Sequence, residues 1–149
     1  MGKEKMTKLE KQWVLYDVGN SAFVMLVSTI IPIYFKNMAT ASGISAANST
    51  AYLSYAISIS TILVALLGPV CGAAADNKGF KKPLFTAFMM IGVIACAAMG
   101  IPKTWLAFLV VFVIAKVGFS GSLIFYDSML VDVTTDERMD EVSSHGYAW

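Results

Sequence analysis

Residues 52–82 read YLSYAISISTILVALLGPVCGAAADNKGFKK. From Tyr52 to Ala75 no charged side chain interrupts the run, and then Asp76, Lys78, Lys81 and Lys82 crowd together. A hydrocarbon core about 30 Å thick takes roughly twenty apolar helical residues. The first part therefore crosses a bilayer as a helix, and the second is a charged loop at its surface. Working outward, three more stretches have the same length and character, at residues 13–36, 83–101 and 105–128. The fold class is all-α and membrane-embedded.

Composition agrees. Hydrophobic residues make up 57% of the 149, charged residues 14%, and mean hydropathy is +0.68. Soluble domains run at about 45–50% apolar and about 25% charged. The first stretch is no cleavable signal peptide, being as long as the later ones and lacking a small-residue cleavage site. A net charge of +1, with most of the basic residues split between two short segments, gives no field that would gather nucleic acid. Cys71 and Cys96 both fall inside predicted helices, where a thiol acts as a small apolar group.

Cytoplasmic loops carry the excess of Lys and Arg. Lys3, Lys5, Lys8, Lys11, Lys78, Lys81, Lys82 and Arg138 fall on one side, against Lys36 and Lys103 on the other. The expected topology has a cytoplasmic N-terminal tail (1–12), an external loop at 37–50, a tight external turn at 101–104 and a cytoplasmic segment at 129–146. Trp13 and Trp105, at the starts of the first and fourth spans, are expected to mark membrane depth. Thr134 and Glu137 fit a capping box opening a further cytoplasmic helix. Residues 146–149 read as the beginning of a fifth apolar segment, so the membrane domain, 13–149, is expected to be the N-terminal part of a longer protein.

The most specific motif is Gly68, Pro69, Gly72, Asp76, Gly79, Lys81 and Lys82, which joins the second and third spans. Gly72 removes bulk where a helix can approach, and Gly79 can take the positive φ of a tight turn. Asp76 offers a carboxylate to helix N-termini and basic side chains at the membrane boundary. The motif resembles the loop signature of the major facilitator superfamily. The strings W-x-x-Y-D-x-G-N-S-A-F, from Trp13, and Phe125-Tyr126-Asp127-Ser128-Met129-Leu130 resemble the vacuole-effluxer-like branch of that superfamily, whose best-known member is the autophagy-related vacuolar amino-acid exporter of yeast. The resemblance implies a twelve-helix transporter, with the first and fourth spans lining a central cavity and amino-acid efflux as the activity.

Those two spans also hold the candidate site residues. At about 100° per residue, Asp17, Asn20, Ser21 and Ser28 share one face of the first span. Lys116, Ser120 and Asp127 share one face of the fourth. Lys116 is near the midplane, too deep for its stem to reach either surface, and a charge there costs on the order of 3 kcal/mol or more. It is expected to pair with an acid supplied from elsewhere or to bind an anionic group of the substrate. Asn20 and Ser28 are expected to join it in binding, and Asp17 and Asp127 to carry protons or hold the cytoplasmic gate. Ser54, Ser58, Thr61, Ala65, Gly68 and Gly72 form a small-residue stripe expected to pack against a neighbour. The third span, nearly without polar side chains, is expected to face lipid.

The reading is a secondary transporter of a small solute, with the bilayer, the substrate and the remainder of the transporter as its partners. Its alternative is a membrane scaffold or an integral membrane enzyme. An enzyme should cluster nucleophiles, histidines or paired acids at one depth, and the single histidine, His145, lies in a loop. Neither a cofactor nor a metal is expected, since His145 and its neighbouring acids match no compact ligand spacing. A bacterial inner membrane is favoured over a vacuolar one.

Overall fold

The computed structural model describes residues 7–75, 79–129, 133, 134, 139, 143 and 144. Among them the only regular structure is helical: α1 (Lys8–Met25), a π-helical turn (Leu26–Ile30), α2 (Ile31–Ala41), α3 (Ala46–Ala75), α4 (Lys81–Ala98) and α5 (Trp105–Ser128). The first three run on as one helix, so four helices are long and apolar enough to cross a membrane.

The first span begins five residues before the expected position. Thr7 and Glu10 form a capping box: the Thr7 N–H donates to Glu10 Oε2 at 2.7 Å, and the Glu10 N–H donates to Thr7 Oγ1 at 3.2 Å. Two free helix-start donors are thereby satisfied. Trp13 consequently lies in the second turn and not at the helix start. The span also outlasts Lys36. It stops at Gly43, whose φ of +85° puts it in the left-handed region, with Gly43 N bonded to Thr40 O and Ile44 N to Ala39 O. That pairing is a Schellman stop. Ser45 Oγ then accepts the Asn48 N–H to open α3. The expected loop at 37–50 is reduced to residues 42–45.

Packing centres on α5. Facing α4, Gly118 meets Gly92 so closely that a Cβ built on Gly118 would lie 2.5 Å from Gly92 N and 2.8 Å from its Cα. Glycines at a membrane helix crossing permit such an approach. The third span is thus the close neighbour of the fourth, although Met90, Ile91, Val93 and Ile94 on its far side are exposed. Toward one end, Ile31, Phe35 and Ala39 of α2 join Leu53 and Ala56 of α3 and Phe108, Phe112 and Ala115 of α5 in one core.

Among the described residues, most of the expected stripe on α3 does not pack, Gly68 beside Ile124 of α5 being the exception. Ser54, Ser58, Thr61 and Ala65 are exposed, and the Ser54 and Thr61 hydroxyls bond to carbonyls of their own helix. The buried stripe is Ser49, Leu53, Ala56 and Ser60, because bulk at Leu53 fills the core while the hydroxyls of Ser49 and Ser60 are satisfied within the helix. The Thr134 hydroxyl donates to Glu10 Oε1 at 2.8 Å, which ties it to the start of the first span. Glu137, the other half of the capping box expected there, lies outside the described residues.

Candidate functional site

The seven intramembrane candidates are not all alike in their surroundings. Ser21 and Ser28 are exposed, and their hydroxyls donate to the carbonyls of Asp17 and Val24 one turn back. Their hydrogen bonding is met locally. Asp17, Asn20, Lys116 and Ser120 are half-buried, and Asp127 is exposed. Asp17 and Asp127 lie within electrostatic reach of one another and of Tyr16. Among the described residues the side chains of Lys116 and Asn20 have no hydrogen-bond partner.

Helix geometry separates two faces of α5. Gly118 marks the side against α4; Lys116 and Ser120, each two residues away, are turned roughly 160° from it, and Asp127 about 180°. On α1 the positions of Tyr16, Gly19, Phe23 and Leu26 form one face, from whose centre Asp17 is turned about 140°. The polar faces of the two spans are therefore distinct from the faces that border the third span.

An apolar groove of about 680 Å³ occupies the space between those bordering faces. Its walls include Tyr16, Gly19, Phe23 and Leu26 of the first span, Met89, Gly92, Val93 and Cys96 of α4, and Phe119 and Ser122 of α5. Of the seven candidates only Asn20 borders it. The Tyr16 and Ser122 hydroxyls are hydrogen-bonded to each other at 2.7 Å. Most of the groove wall is hydrocarbon, and it does not bring the polar candidates together.

At one end of the molecule the first and fourth spans are joined by groups that the sequence reading did not pair with one another. The Trp13 and Tyr126 rings stack at 4.4 Å with an interplanar angle of 11°. Trp13 Nε1–H donates to Tyr126 O at 3.4 Å, and the Tyr126 hydroxyl donates back to Trp13 O at 3.0 Å. Tyr16 lies beside them, 4.7 Å from Tyr126 and edge-on to Phe85 at 5.0 Å. The signal was present in the W-x-x-Y and F-Y-D-S strings. Nothing in either string alone says that they touch.

In the loop motif, Gly79 has a φ of +90°, so a side chain there would be strained. Gly68 lies close to Ile124 of α5, 3.7 Å from an added Cβ, and Pro69 sits inside α3. Gly72 has open space around it and so marks no close approach to another described residue. Lys81 Nζ donates to Ser128 O at 3.5 Å, Lys82 is exposed, and Asp76 lies outside the described residues. Among the described residues no group of three or more His, Cys, Asp or Glu side chains could hold a metal.

Comparison with known proteins fits this picture of an integral membrane chain. An uncharacterized MFS-type transporter, YxiO, of Bacillus subtilis (strain 168) is 46% identical over 147 residues. The match covers 97% of this chain and 34% of the relative, so the chain spans about a third of that protein's length. No solved structure matches significantly. The family model described as vacuole effluxer Atg22 like matches residues 6–145, and the chain accordingly belongs to that family of major facilitator transporters.

Proposed function

We propose that the chain is part of a secondary transporter that moves a small solute by alternating access, with the polar faces of the first and fourth spans lining its path. Lys116 carries the reading. It is half-buried near the middle of α5, turned away from the α4 seam and without a hydrogen-bond partner among the described residues. An ionised side chain at that depth belongs in a water-filled path or beside an opposite charge. A substrate carboxylate would satisfy it, and Asn20 and Ser28 on the facing span would add polar contacts. Asp17 and Asp127, within electrostatic reach of one another, would carry protons or close the path at that end.

Amino-acid efflux is the specific reading that the family description supports. The same membership supports transport over catalysis. The twelve-helix fold would be completed by the portion of such a protein that this chain does not cover. The Lys and Arg distribution supports a cytoplasmic N-terminus, and the bacterial relative supports a bacterial inner membrane.

The test is uptake of a panel of amino acids into proteoliposomes holding a complete transporter with these residues. Lys116→Ala should lower the rate at least tenfold, and Lys116→Arg should keep part of it. Full-rate transport by the alanine variant would remove Lys116 from the path.

A further inference from the structure

The π turn, Leu26–Ile30, withholds helix donors from two backbone acceptors in the middle of the first span. The Ile31 N–H, which would serve Val27 O in an α-helix, reaches back five residues to Leu26 O instead. Pro32, the next residue along, has no N–H. Val27 O therefore loses both its α-helical and its π-helical donor, and Ser28 O loses its α-helical one. The Ser28 hydroxyl donates its proton to Val24 O, so toward its surroundings that oxygen can only accept. Ser28, Thr29 and Ile30 are exposed. Backbone that departs from the α-helical ladder at membrane depth is tolerated where it lines a polar cavity or is buried in protein.

Lys116 stands at the same level. The first and fourth spans run antiparallel, with Phe23 against Phe119 at 4.3 Å and Tyr34 and Phe35 against Phe108 at 5.4 and 5.8 Å. Counting three residues along each helix from the Phe23–Phe119 contact reaches Leu26 on one and Lys116 on the other. Helical side chains lean toward their own N-terminus, which for Lys116 is the direction of Ser28. In this register Ser28 and Lys116 also turn to the same side of the Phe23–Phe119 seam, away from the groove. A cation and a set of oxygen acceptors thus border one stretch of the proposed path.

We infer that the π turn is the ammonium-binding half of the solute site: Val27 O, Ser28 O and the Ser28 hydroxyl oxygen accept hydrogen bonds from a substrate ammonium group, while Lys116 holds a carboxylate of the same molecule. The inference rests on the proposed transport path and adds to it the element that reads positive charge. Carbonyls freed in broken membrane helices meet cations in this way. The solute class is a small zwitterion with its two charges close together, and a solute carrying either charge alone loses one half of the site.

A complete transporter with these residues, solubilised in detergent, is titrated calorimetrically with a panel of amino acids. The tightest binder is then compared with its deaminated acid and its decarboxylated amine, both of which should bind at least tenfold more weakly. Pro32→Ala supplies the turn with the missing N–H. It should cut the preference for the amino acid over the deaminated acid at least fivefold and leave the preference over the amine unchanged. Lys116→Ala should do the reverse. Ser28→Ala, which leaves the backbone as it is, should move the first preference in the same direction as Pro32→Ala. Three results would each overturn the inference: no amino acid binds, Pro32→Ala keeps its full preference for the ammonium group, or Pro32→Ala loses both preferences together. Donors already supplied by a neighbouring helix give the second result, and a turn that merely holds Lys116 in place gives the third. The readout is equilibrium binding. Binding without flux would therefore fail the transport reading alone, and flux with an unchanged Pro32→Ala preference would fail this inference alone.

Discussion

Replacing Gly118 by Ala tests the packing on which the third and fourth spans depend. The added Cβ would lie 2.5 Å from Gly92 N, 2.8 Å from Gly92 Cα and 3.0 Å from Phe88 O. Carbon atoms in favourable contact are about 3.5–4.0 Å apart, so the helices must separate by about 1 Å at this crossing. All three obstructing atoms are backbone, and no side-chain rotation can relieve them. Over-packing of this kind costs about 1–3 kcal/mol, and the upper end applies where backbone must move. The same substitution at Gly92 meets its nearest atom, Phe119 N, at 3.1 Å and should cost about 1 kcal/mol, near the lower end of that range. Gly19 has open space and serves as the neutral control. Unfolding of detergent-solubilised protein by sodium dodecyl sulfate, followed by circular dichroism, gives the three stabilities on one scale. The expected order of damage is Gly118, then Gly92, then Gly19. A Gly118→Ala protein as stable as the parent, or more stable than Gly92→Ala, would refute the close crossing.

Thr7→Ala removes the hydroxyl half of the first span's capping box and should cost about 1 kcal/mol, with faster amide exchange confined to its first turn. Gly43→Ala forces a Cβ into a left-handed conformation and should cost about 1–2 kcal/mol in the same detergent titration, without loss of helix content. Tyr16→Phe and Ser122→Ala remove opposite sides of one 2.7 Å hydrogen bond. Their double-mutant cycle should return a coupling of about 1 kcal/mol, and purely additive effects would show that the bond contributes nothing.

Span number and membrane character were legible because they depend on local sums: a run of twenty or so apolar residues must be helical in lipid whatever its neighbours are. Gly79 was legible for a similar reason, since a turn between two spans needs a residue that tolerates positive φ. Helix ends were harder to read. Trp13 drew attention as a depth marker, whereas the start is made by Thr7 and Glu10, and the small polar stretch after Lys36 hid another turn of helix closed at Gly43. The candidate site was legible as two polar faces. Its groove-lining partners, Tyr16 and Ser122, come from helices far apart in sequence, and only their 2.7 Å contact reveals the pairing.

By itself, then, the sequence determined that the chain crosses the membrane, where its helices lie and that ionisable residues sit within them. Which face of each helix meets which neighbour was decided only in three dimensions. Hydrocarbon surrounds every face equally, so no hydrophobic force turns a helix inward, and the choice falls to shape. The Ser54 stripe looked suited to packing and stayed exposed, while Gly92 and Gly118 found each other. The fit of backbone to backbone at that crossing, and of Trp13 to Tyr126, is a property of two helices together and of neither alone.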